Sequence, residues 1–526
     1  MKTRADLIVH NARIYIVDSA MTVAGAIAVK GGKILATGTD SRILGAYSSG
    51  NIIDCRGNAV FPGFIDAHCH FYGYAVNMRN VDLSGSKSFT EVLGRLKKSV
   101  MANAGEWVVG RGWDQNLWGT RTFPDRMELD KQFPHNPVIL IRTDGHVVLA
   151  NKTALQLAGI ETNHKFQPGE VEIKEGRLTG ILSENAADHI RNIVPVPDRK
   201  ELKSLFVRAQ NNCFAVGLTA VSDAGLDAGI VRLYDLLDKD STLKIGIYAM
   251  LNPTAENFNS FIRNGPMLNE KLRVRSVKLY ADGSLGSRTA LLKHPYNDMP
   301  NTQGIRVTSP DSIRKVCRLC LEHGYQVNTH AIGDSANKLV LDIYGEFLRG
   351  KNDRRWRIEH CQVVDAEDLY KFQKYAVIPS IQATHATSDM NWAVDRLGPQ
   401  RVKTAYAYKA LLAQNGWVAN GTDFPVENIS PLFTFYASVT RKNINGLPEG
   451  GFQIENALSR EEALRSITIW AAMADFWENE TGSLEPGKKA DFVILDQDIM
   501  EVSEDKIPDT RVISTYISGM EVYKKP

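Results

Sequence analysis

The chain has 526 residues, 43% of them hydrophobic and 23% charged, and its 62 Lys and Arg nearly balance its 60 Asp and Glu. This length exceeds a single ordinary core, so we expect one large domain with a smaller one, or two domains. The even charge balance excludes a strongly basic surface for nucleic acid or an anionic membrane, and the lack of an apolar run of about 18 residues excludes a transmembrane helix.

The amino-terminal segment MKTRADLIVHNARIYIVD becomes polar and strand-like too early for a signal peptide. The six cysteines are scattered without the spacing of a disulfide framework, which favours a reducing compartment. We therefore expect a cytoplasmic protein whose partner is a small-molecule substrate, not nucleic acid or a membrane.

Short runs of alternating apolar and polar residues occupy both ends of the chain. Residues 6–37 contain LIVH, ARIYIV and AIAVKGGKILATG, and the carboxyl-terminal part contains ADFVILD and VISTYISG. Such runs predict strands, but neither end has enough of them to bury a sheet face alone. The ends are therefore predicted to form one small β-sandwich domain, residues 1–60 plus 476–526, with a large domain at 61–475 between them.

Eight short apolar runs recur inside this large domain, most of them followed by helical patterns. The first is FIDAHCH at residues 64–70, and the last is WVANGTDFP at residues 417–425. Eight strands interleaved with helices are typical of an α/β protein with a (β/α)8 TIM barrel. The long segment between the first and second strands, about 75–215, is predicted to cap the barrel mouth and to supply the substrate pocket.

The stretch FPGFIDAHCHFYG ends the first predicted strand with two histidines, His68 and His70. Residues i and i+2 of a strand project to the same face, so the two imidazoles point the same way. Two converging imidazoles suit a metal ion, although the pattern alone describes equally well a pair of half-exposed histidines near a loop.

Four further strands also end in residues capable of metal ligation, namely Lys278, His330, His360 and Asp423 on the fourth, fifth, sixth and eighth. Barrel enzymes keep their chemistry at this end of the strands. Each residue has an ordinary explanation by itself: His330 as a helix cap, His360 as a core histidine and Asp423 as a turn residue. The combination on five strands favours a metal site.

Lys278 is the unusual member of this set. In VRSVKLYAD the alternation turns Ser276, Lys278 and Tyr280 into the barrel, where a lysine is costly unless it is paired. One hypothesis is an ion pair with Asp282. The favoured hypothesis is carboxylation of Lys278 by CO2, because a carbamate can bridge two metal ions and histidines flank this strand on both sides in the barrel order.

The sequence resembles the amidohydrolase superfamily over nearly its whole length. PGFIDAHCH is similar to the HxH signature of that superfamily, and GSLEPGKKADFVILD is similar to its return into the terminal β-sandwich. GRGWDQNLW, RTDGHVVLAN, VKLYADGSLGSRTA, HAIGD and NGTDFPVE are similar to the branch called amidohydrolase family 3, which includes N-substituted formamide deformylases. The resemblance implies hydrolysis of a C–N bond other than a peptide bond, in a small amide, an N-formyl compound or a cyclic amide. Dimers are common among similar proteins, so a homodimer is one possibility, but the sequence does not decide the oligomeric state.

The resemblance also implies a binuclear centre of two divalent ions, for which zinc is expected. Its ligands are then, for one ion, His68, His70 and Asp423, and for the other His330 and His360, with the carbamate of Lys278 as the bridge. In the implied mechanism Asp423 takes a proton from a metal-activated water as general base and returns it to the leaving nitrogen as general acid.

Four residues are candidate substrate contacts. His146 and Arg142 in RTDGHVVLAN are candidates to orient a carbonyl or carboxylate group, Trp113 to line an apolar pocket, and Arg288 to meet an anionic group. Each also has a structural alternative: Arg142 paired with Asp144, His146 packed in a strand turn, Trp113 in a core, and Arg288 in a surface salt bridge.

Other functions share this scaffold. A mononuclear deaminase of the superfamily also uses HxH, two further histidines and an aspartate, but it lacks the lysine of the fourth strand. A lactonase or ester hydrolase, or a carbonyl isomerase, keeps the binuclear site and changes the bond broken. A non-catalytic scaffold protein of the same fold is recognised by missing ligands, whereas every ligand position is filled here.

Overall fold

The structure, a computed structural model, describes residues 2–99, 105–120, 122–142, 147–166 and 169–526. The chain divides into two compact units, one made of Met1–Tyr74 with Phe206–Pro526 and the other of Ala75–Leu205. None of the described helices has both the length and the apolar character needed to cross a membrane.

Eight parallel strands of the first unit form a nearly closed barrel in which each strand pairs with the next along the chain. They are, labelled in chain order, β1 (Phe64–Cys69), β2 (Leu218–Leu226), β3 (Gly246–Leu251), β4 (Leu272–Tyr280), β5 (Gln326–Ala331), β6 (Arg357–His360), β7 (Ile378–Ile381) and β8 (Ala419–Asn420). Most of their side chains are buried, as expected for parallel strands covered on both faces. The predicted (β/α)8 TIM barrel is confirmed, with every predicted barrel strand present.

Register brings the carboxyl ends of neighbouring strands to one level. Tyr280 of β4 pairs with His330 of β5, and Ala331 pairs with His360 of β6. A short strand, Met267–Leu268, pairs antiparallel with β4 outside the barrel. The residues that end these strands therefore share one rim of the barrel.

The first and last barrel strands are joined just beyond β8. The backbone N–H of Asp423 donates to the carbonyl oxygen of His68 at 2.8 Å. The hydroxyl of Thr422 donates to the carboxylate of Asp66 at 2.7 Å, across 356 residues of chain. A Cβ atom on Gly421 would lie 2.4 Å from the backbone nitrogen of His68, so this close approach requires glycine. The same contacts that close the barrel hold two predicted ligands side by side.

Helices separate the barrel strands. They are Phe71–Asn77, Arg199–Ala215, Ala228–Lys239, Ala255–Ser260, Pro310–His323, Asp334–Phe347, Tyr370–Tyr375, Ala383–Asp389, Ala393–Arg401, Tyr408–Asn415, Pro431–Thr440, Arg460–Ser466 and Ile469–Ala474. Short 3-10 helices occur at Ile262–Asn264, Val402–Thr404, Ile454–Asn456 and Glu504–Asp509.

The helix Pro310–His323 shows how the sequence sets these elements. The side chain of Ser309 accepts a hydrogen bond from a backbone N–H of the first turn, and proline fits the first helical position. Ile313, Cys317 and Cys320 recur at helical spacing and are buried. The CxxC motif is therefore part of an apolar helix face, and all six cysteines of the chain are buried free thiols.

Both ends of the chain build a β-sandwich. One sheet contains, in order, Lys33–Gly38, Ala26–Lys30, Leu7–His10 and Ile52–Asp54, and the other contains Met520–Lys524, Val512–Ile517, Phe492–Leu495, Ala59–Pro62, Arg13–Tyr15 and Val23–Ala24. The remaining elements here are the strand pair Thr3–Arg4 and Tyr47–Ser48 and the helix Asp40–Ala46. Buried residues of both sheets form one core, so the predicted sandwich is confirmed, while the exact domain boundaries stay a prediction.

The second unit has a six-stranded mixed sheet of its own. Its strands are, in order, Val81–Asp82, Val108–Trp113, Val138–Arg142, Val147–Ala150, Arg177–Ser183 and Val171–Lys174. Its helices are Phe89–Ser99, Met127–Gln132, Lys152–Leu157 and Glu184–Asn192, with a 3-10 turn at Gln115–Leu117. The unit follows β1 in the chain, where the sequence predicts an insertion.

Candidate metal centre

The four histidines predicted as ligands lie together at the carboxyl ends of the barrel strands. Ring centroids are 5.7 Å apart for His68 and His70, 5.0 Å for His68 and His360, and 4.6 Å for His360 and His330. Strands distant in sequence therefore bring these imidazoles into one continuous group.

One nitrogen of His68 and one of His360 are bound by a buried acceptor. Nδ1 of His68 lies 2.5 Å from Oε2 of Glu359, and Nδ1 of His360 lies 2.7 Å from Oε1 of Gln382. A ring nitrogen beside a carboxylate or amide oxygen carries the proton. The Nε2 atoms of both rings are then bare lone pairs, which is the form that binds a metal.

His70 and His330 are held in the same way by backbone carbonyl groups. Nδ1 of His70 lies 3.2 Å from the oxygen of Ala224, and Nε2 of His330 lies 3.1 Å from the oxygen of Gly283. Each ring therefore donates one proton to the protein and keeps its other nitrogen free. This pattern in four rings is the arrangement that metal-ligating histidines show.

Asp423 supplies an acidic oxygen to this group. Its Oδ1 atom lies 3.3 Å from Nε2 of His70 and 3.6 Å from Nε2 of His68, yet it is buried without a hydrogen bond of good geometry among the described residues. Donor atoms of His68, His360 and Asp423 all lie within 4.8 Å of one another. A carboxylate oxygen and bare imidazole nitrogens around one point fit a divalent cation.

The protonation states agree with this fit. Burial and the charge of Lys278 lower the pKa of His68 to about 4 and that of His330 to about 3. Burial by itself would raise the pKa of Asp423, but contact with His70 and the other imidazoles holds it well below its ordinary value. Near neutral pH His68 and His330 are therefore neutral and Asp423 is ionised, which are the ligand forms. Burial by itself would lower the pKa of His70, but its contact with Asp423 raises that pKa above its ordinary value.

Lys278 lies inside the same group. Its Nζ atom is 3.2 Å from Nε2 of His68, and its side chain is almost completely buried. Burial lowers the pKa of Lys278 to about 8, against the opposing charges of Glu359 and Asp423. Asp282, the ion-pair partner considered from the sequence, instead accepts three backbone N–H groups and lies 3.6 Å from Nε2 of His330.

A buried acid, Glu359, was missed by the sequence analysis. It immediately precedes His360, so regular strand alternation would send the two side chains to opposite faces. His360 has a φ of 76° and Asp423 a φ of 60°, a left-handed backbone that costs about 1–3 kcal/mol in such residues and clusters at functional sites. This local backbone allows Glu359 and His360 both to contact the group, and no sequence pattern signals it.

A fifth histidine, His385, was also missed. It lies on the short helix Ala383–Asp389 that follows β7, with 9% of its surface exposed. Its Nε2 atom is 3.5 Å from Oδ2 of Asp423, and its ring is 5.8 Å from that of His360 at an angle of 18°. It lies four positions after Ile381, the last apolar residue of the predicted seventh strand, so a search limited to strand ends passes over it.

The candidate substrate contacts lie in different settings. The guanidinium of Arg142 is used within the second unit, where Nε donates to Oε1 of Gln115 at 2.8 Å and Nη2 contacts Oδ1 of Asp114 at 2.9 Å. Trp113 is buried in the core of that unit. Arg288, on the loop after β4, pairs with Asp298 at 2.8 Å.

His146 and Asp144 lie outside the described residues. A contact of any of the four candidates with substrate stays a prediction.

Comparison with known proteins gives a consistent result. The amidohydrolase family matches residues 51–523. The chain is 32% identical to Protein LONG AFTER FAR-RED 3 of Arabidopsis thaliana, over 99% of this chain and 92% of that protein. It is 27% identical to the N-substituted formamide deformylase of Arthrobacter pascens, over 100% of this chain and 99% of that enzyme. The crystal structure of an uncharacterized metal-dependent hydrolase from Pyrococcus horikoshii is similar with a TM-score of 0.81 and 30% identity, over 95% of this chain and 99% of that one.

Proposed function

Because the chain belongs to the amidohydrolase family, as its motifs predicted, we propose that it is a metal-dependent hydrolase of C–N bonds other than peptide bonds. The observation that carries the proposal is the set of four imidazoles, each held by an oxygen atom of the protein through one nitrogen, which leaves the other nitrogen for a metal ion. Small amides, N-formyl compounds and cyclic amides are the proposed substrates, and similarity to a formamide deformylase supports the N-formyl class.

The residues that would hold two divalent ions are His68, His70 and Asp423 for one ion, and His330 and His360 for the other, with Lys278 as the bridge. When bound, such ions make a water acidic enough to attack at neutral pH and polarise the scissile carbonyl group. Asp423 accepts the proton of the attacking water and then delivers it to the leaving nitrogen, which must depart as a neutral amine. The low pKa of Asp423 keeps it ionised and ready to accept that proton.

Lys278 serves this scheme as a carbamate. Its ammonium form first releases one proton, and the neutral amine nitrogen then bonds to the carbon of CO2 and releases a second proton to solvent. The two steps together replace a cation by an anion with two oxygen ligands. Only the unprotonated amine reacts, and burial favours that form by lowering the pKa of Lys278 to about 8. The Nζ atom of Lys278 lies 3.2 Å from Nε2 of His68. A carbamate at this position and His68 would be close enough to bind the same cation.

A mononuclear hydrolase of the deaminase type is the second candidate. The ligand atoms of His68, His360 and Asp423 all lie within 4.8 Å of one another, and this group combines residues proposed for the two different ions. One ion at that point would leave Lys278 as a buried amine facing Glu359 and Asp423. The number of bound ions therefore separates the two candidates.

The first experiment is elemental analysis of the protein purified without added metal or chelator, followed by hydrolysis assays on N-substituted formamides, small amides and cyclic amides. Two ions per chain with release of amine support the proposal. One ion with release of ammonia from a ring amine supports the deaminase candidate. No ion, even after metal is added, overturns both.

Asp423→Asn tests the proton carrier in the same assays. We expect kcat to fall by about 10²–10⁴-fold, because the amide cannot accept the proton of the attacking water. Asp342→Asn, at an exposed carboxylate paired with Lys338, is the matched control and should keep full activity. Wild-type kcat in Asp423→Asn would contradict the assigned role.

A further inference from the structure

His385 is the one histidine of this cluster to which the proposed function gives no role. It follows β7, one of the three barrel strands from which the sequence predicts no ligand. Its Nε2 atom is buried and has no hydrogen-bond partner in the part of the chain that the structure describes. That nitrogen lies 3.5 Å from Oδ2 of Asp423, slightly longer than an ordinary hydrogen bond.

The two oxygens of Asp423 have different neighbours. Oδ1 faces Nε2 of His70 at 3.3 Å and Nε2 of His68 at 3.6 Å, whereas Oδ2 faces Nε2 of His385 at 3.5 Å. A carboxylate that gives one oxygen to a metal has the other for proton transfer. Among the described residues, the imidazoles that face Oδ1 belong to two of the proposed ligands, whereas the imidazole that faces Oδ2 has no proposed ligand role.

The surroundings of His385 fix its position. The hydroxyl of Tyr408 donates to the carbonyl oxygen of Gln382 at 3.0 Å, just before the helix Ala383–Asp389. At the other end of the helix, Asp389 accepts from the hydroxyl of Tyr406 at 2.8 Å. A helix anchored at both ends holds the imidazole against Asp423 without relying on a ligand.

We propose that His385 is a positioning residue for Asp423. Its Nε2–H group donates to Oδ2, which keeps Oδ1 turned to His68 and His70 and leaves Oδ2 to carry the proton. An oxygen with two lone pairs can accept from His385 and from the attacking water at once. The inference rests on the proposed function, since it concerns the orientation of the carboxylate in that reaction.

Three variants test the donor. His385→Gln keeps an N–H group near the place of Nε2, His385→Leu keeps comparable bulk without a donor, and Thr387→Val removes from the same helix a hydroxyl that bonds only to the backbone of Thr384. Each is loaded with Co²⁺, whose visible spectrum reports the ligand geometry, and each is assayed on the substrate found for the wild type. Cobalt per chain is measured in parallel.

We expect His385→Leu to bind as much cobalt as the wild type, to show a shifted visible band, and to lose about 10²-fold in kcat with KM unchanged, as for a misplaced catalytic group. His385→Gln should recover the band and most of kcat, and Thr387→Val should match the wild type in both.

Several outcomes overturn the inference. A wild-type spectrum and kcat in His385→Leu show that Asp423 needs no such donor. Loss of cobalt in His385→Leu identifies His385 as a ligand, and failure of His385→Gln to recover shows that the N–H group is not the feature that matters. A wild-type chain that binds no cobalt overturns the proposed function itself, and the inference with it.

Discussion

Two layers of buried polar side chains lie inside the barrel, a lower layer around Arg357 and an upper layer that contains the imidazoles, and they differ in how their charges are paired. In the lower layer Arg357 pairs with Glu359 at 3.0 Å and with Asp475 at 3.1 Å, and all three side chains are fully buried. In the upper layer each of the four imidazoles proposed as ligands is held through one nitrogen, which leaves the other for a metal ion. The charges of the lower layer are paired within the protein, whereas the proposed ligand atoms of the upper layer are arranged for a cation.

The difference shows what separates a structural charge from a functional one. Burying an unpaired charge costs several kcal/mol, so a charge that only stabilises the fold must find its counterion within the chain. The open nitrogens and the Oδ1 atom of Asp423 instead keep unused acceptor capacity. Glu359 belongs to both layers, because Oε1 faces Arg357 and Oε2 holds His68.

Arg357→Met breaks the closed layer and should give the largest change in stability. It leaves Glu359 and Asp475 buried without their cation, which costs about 3–5 kcal/mol. The measurement is the free energy of unfolding of the metal-free protein, from thermal or urea unfolding. Arg314→Met, at an exposed pair with Glu346, is the control and should cost about 0–1 kcal/mol. Equal losses in the two variants would show that the lower layer contributes no more than a surface pair.

Glu359→Gln tests the link between the layers. The amide still reaches Nδ1 of His68 but cannot supply the negative charge that makes the ring a better ligand, so metal affinity should fall by about 10–100-fold. Competition with a chromophoric chelator measures this, with Glu346→Gln as the control at an exposed position. Unchanged metal affinity in Glu359→Gln would show that Glu359 stabilises the fold without affecting metal binding.

The smallest expected effect is a pH dependence of reactivation, which follows from the pKa of Lys278. Burial lowers it to about 8, so the reactive free amine is the major form above that pH and falls about tenfold over each pH unit below it. Metal-free protein, reactivated with Zn²⁺ at a fixed concentration of dissolved CO2, should therefore recover faster as pH rises and level off above pH 8. Recovery that does not change between about pH 6 and pH 9 would argue against a carbamate.

The barrel could be predicted from the sequence because the alternation of residues along a strand and the repeated order of strand and helix are both visible in short stretches of sequence. Strands alternate every two residues and helices follow them, and HxH at the end of β1 reads directly as two side chains on one face. Placing Lys278, His330 and Asp423 at strand ends needed only this pattern and the rule that barrel sites lie there. The structure brings these residues together as that rule requires.

Glu359 and His385 were not predicted from the sequence, and the reasons are physical. Glu359 and its neighbour His360 both face the group because His360 has a left-handed backbone, which breaks the alternation that would send adjacent side chains to opposite faces. His385 reaches the site from a helix, so its direction follows from how that helix is anchored at Tyr406 and Tyr408. Substrate choice depends on loop geometry, which no periodic pattern encodes.

The hydrogen bond from Thr422 to Asp66 joins residues 356 positions apart, so during synthesis it cannot form until Thr422 has been made. At about 5–20 residues per second, the ribosome needs roughly 20–70 s to make the 356 residues between them. During that interval His68 and His70 are already made, while Asp423 does not yet exist. Under the proposed ligand set, metal loading therefore waits until β8 has been made, and a product truncated before β8 has His68 and His70 without the carboxylate proposed as their third ligand.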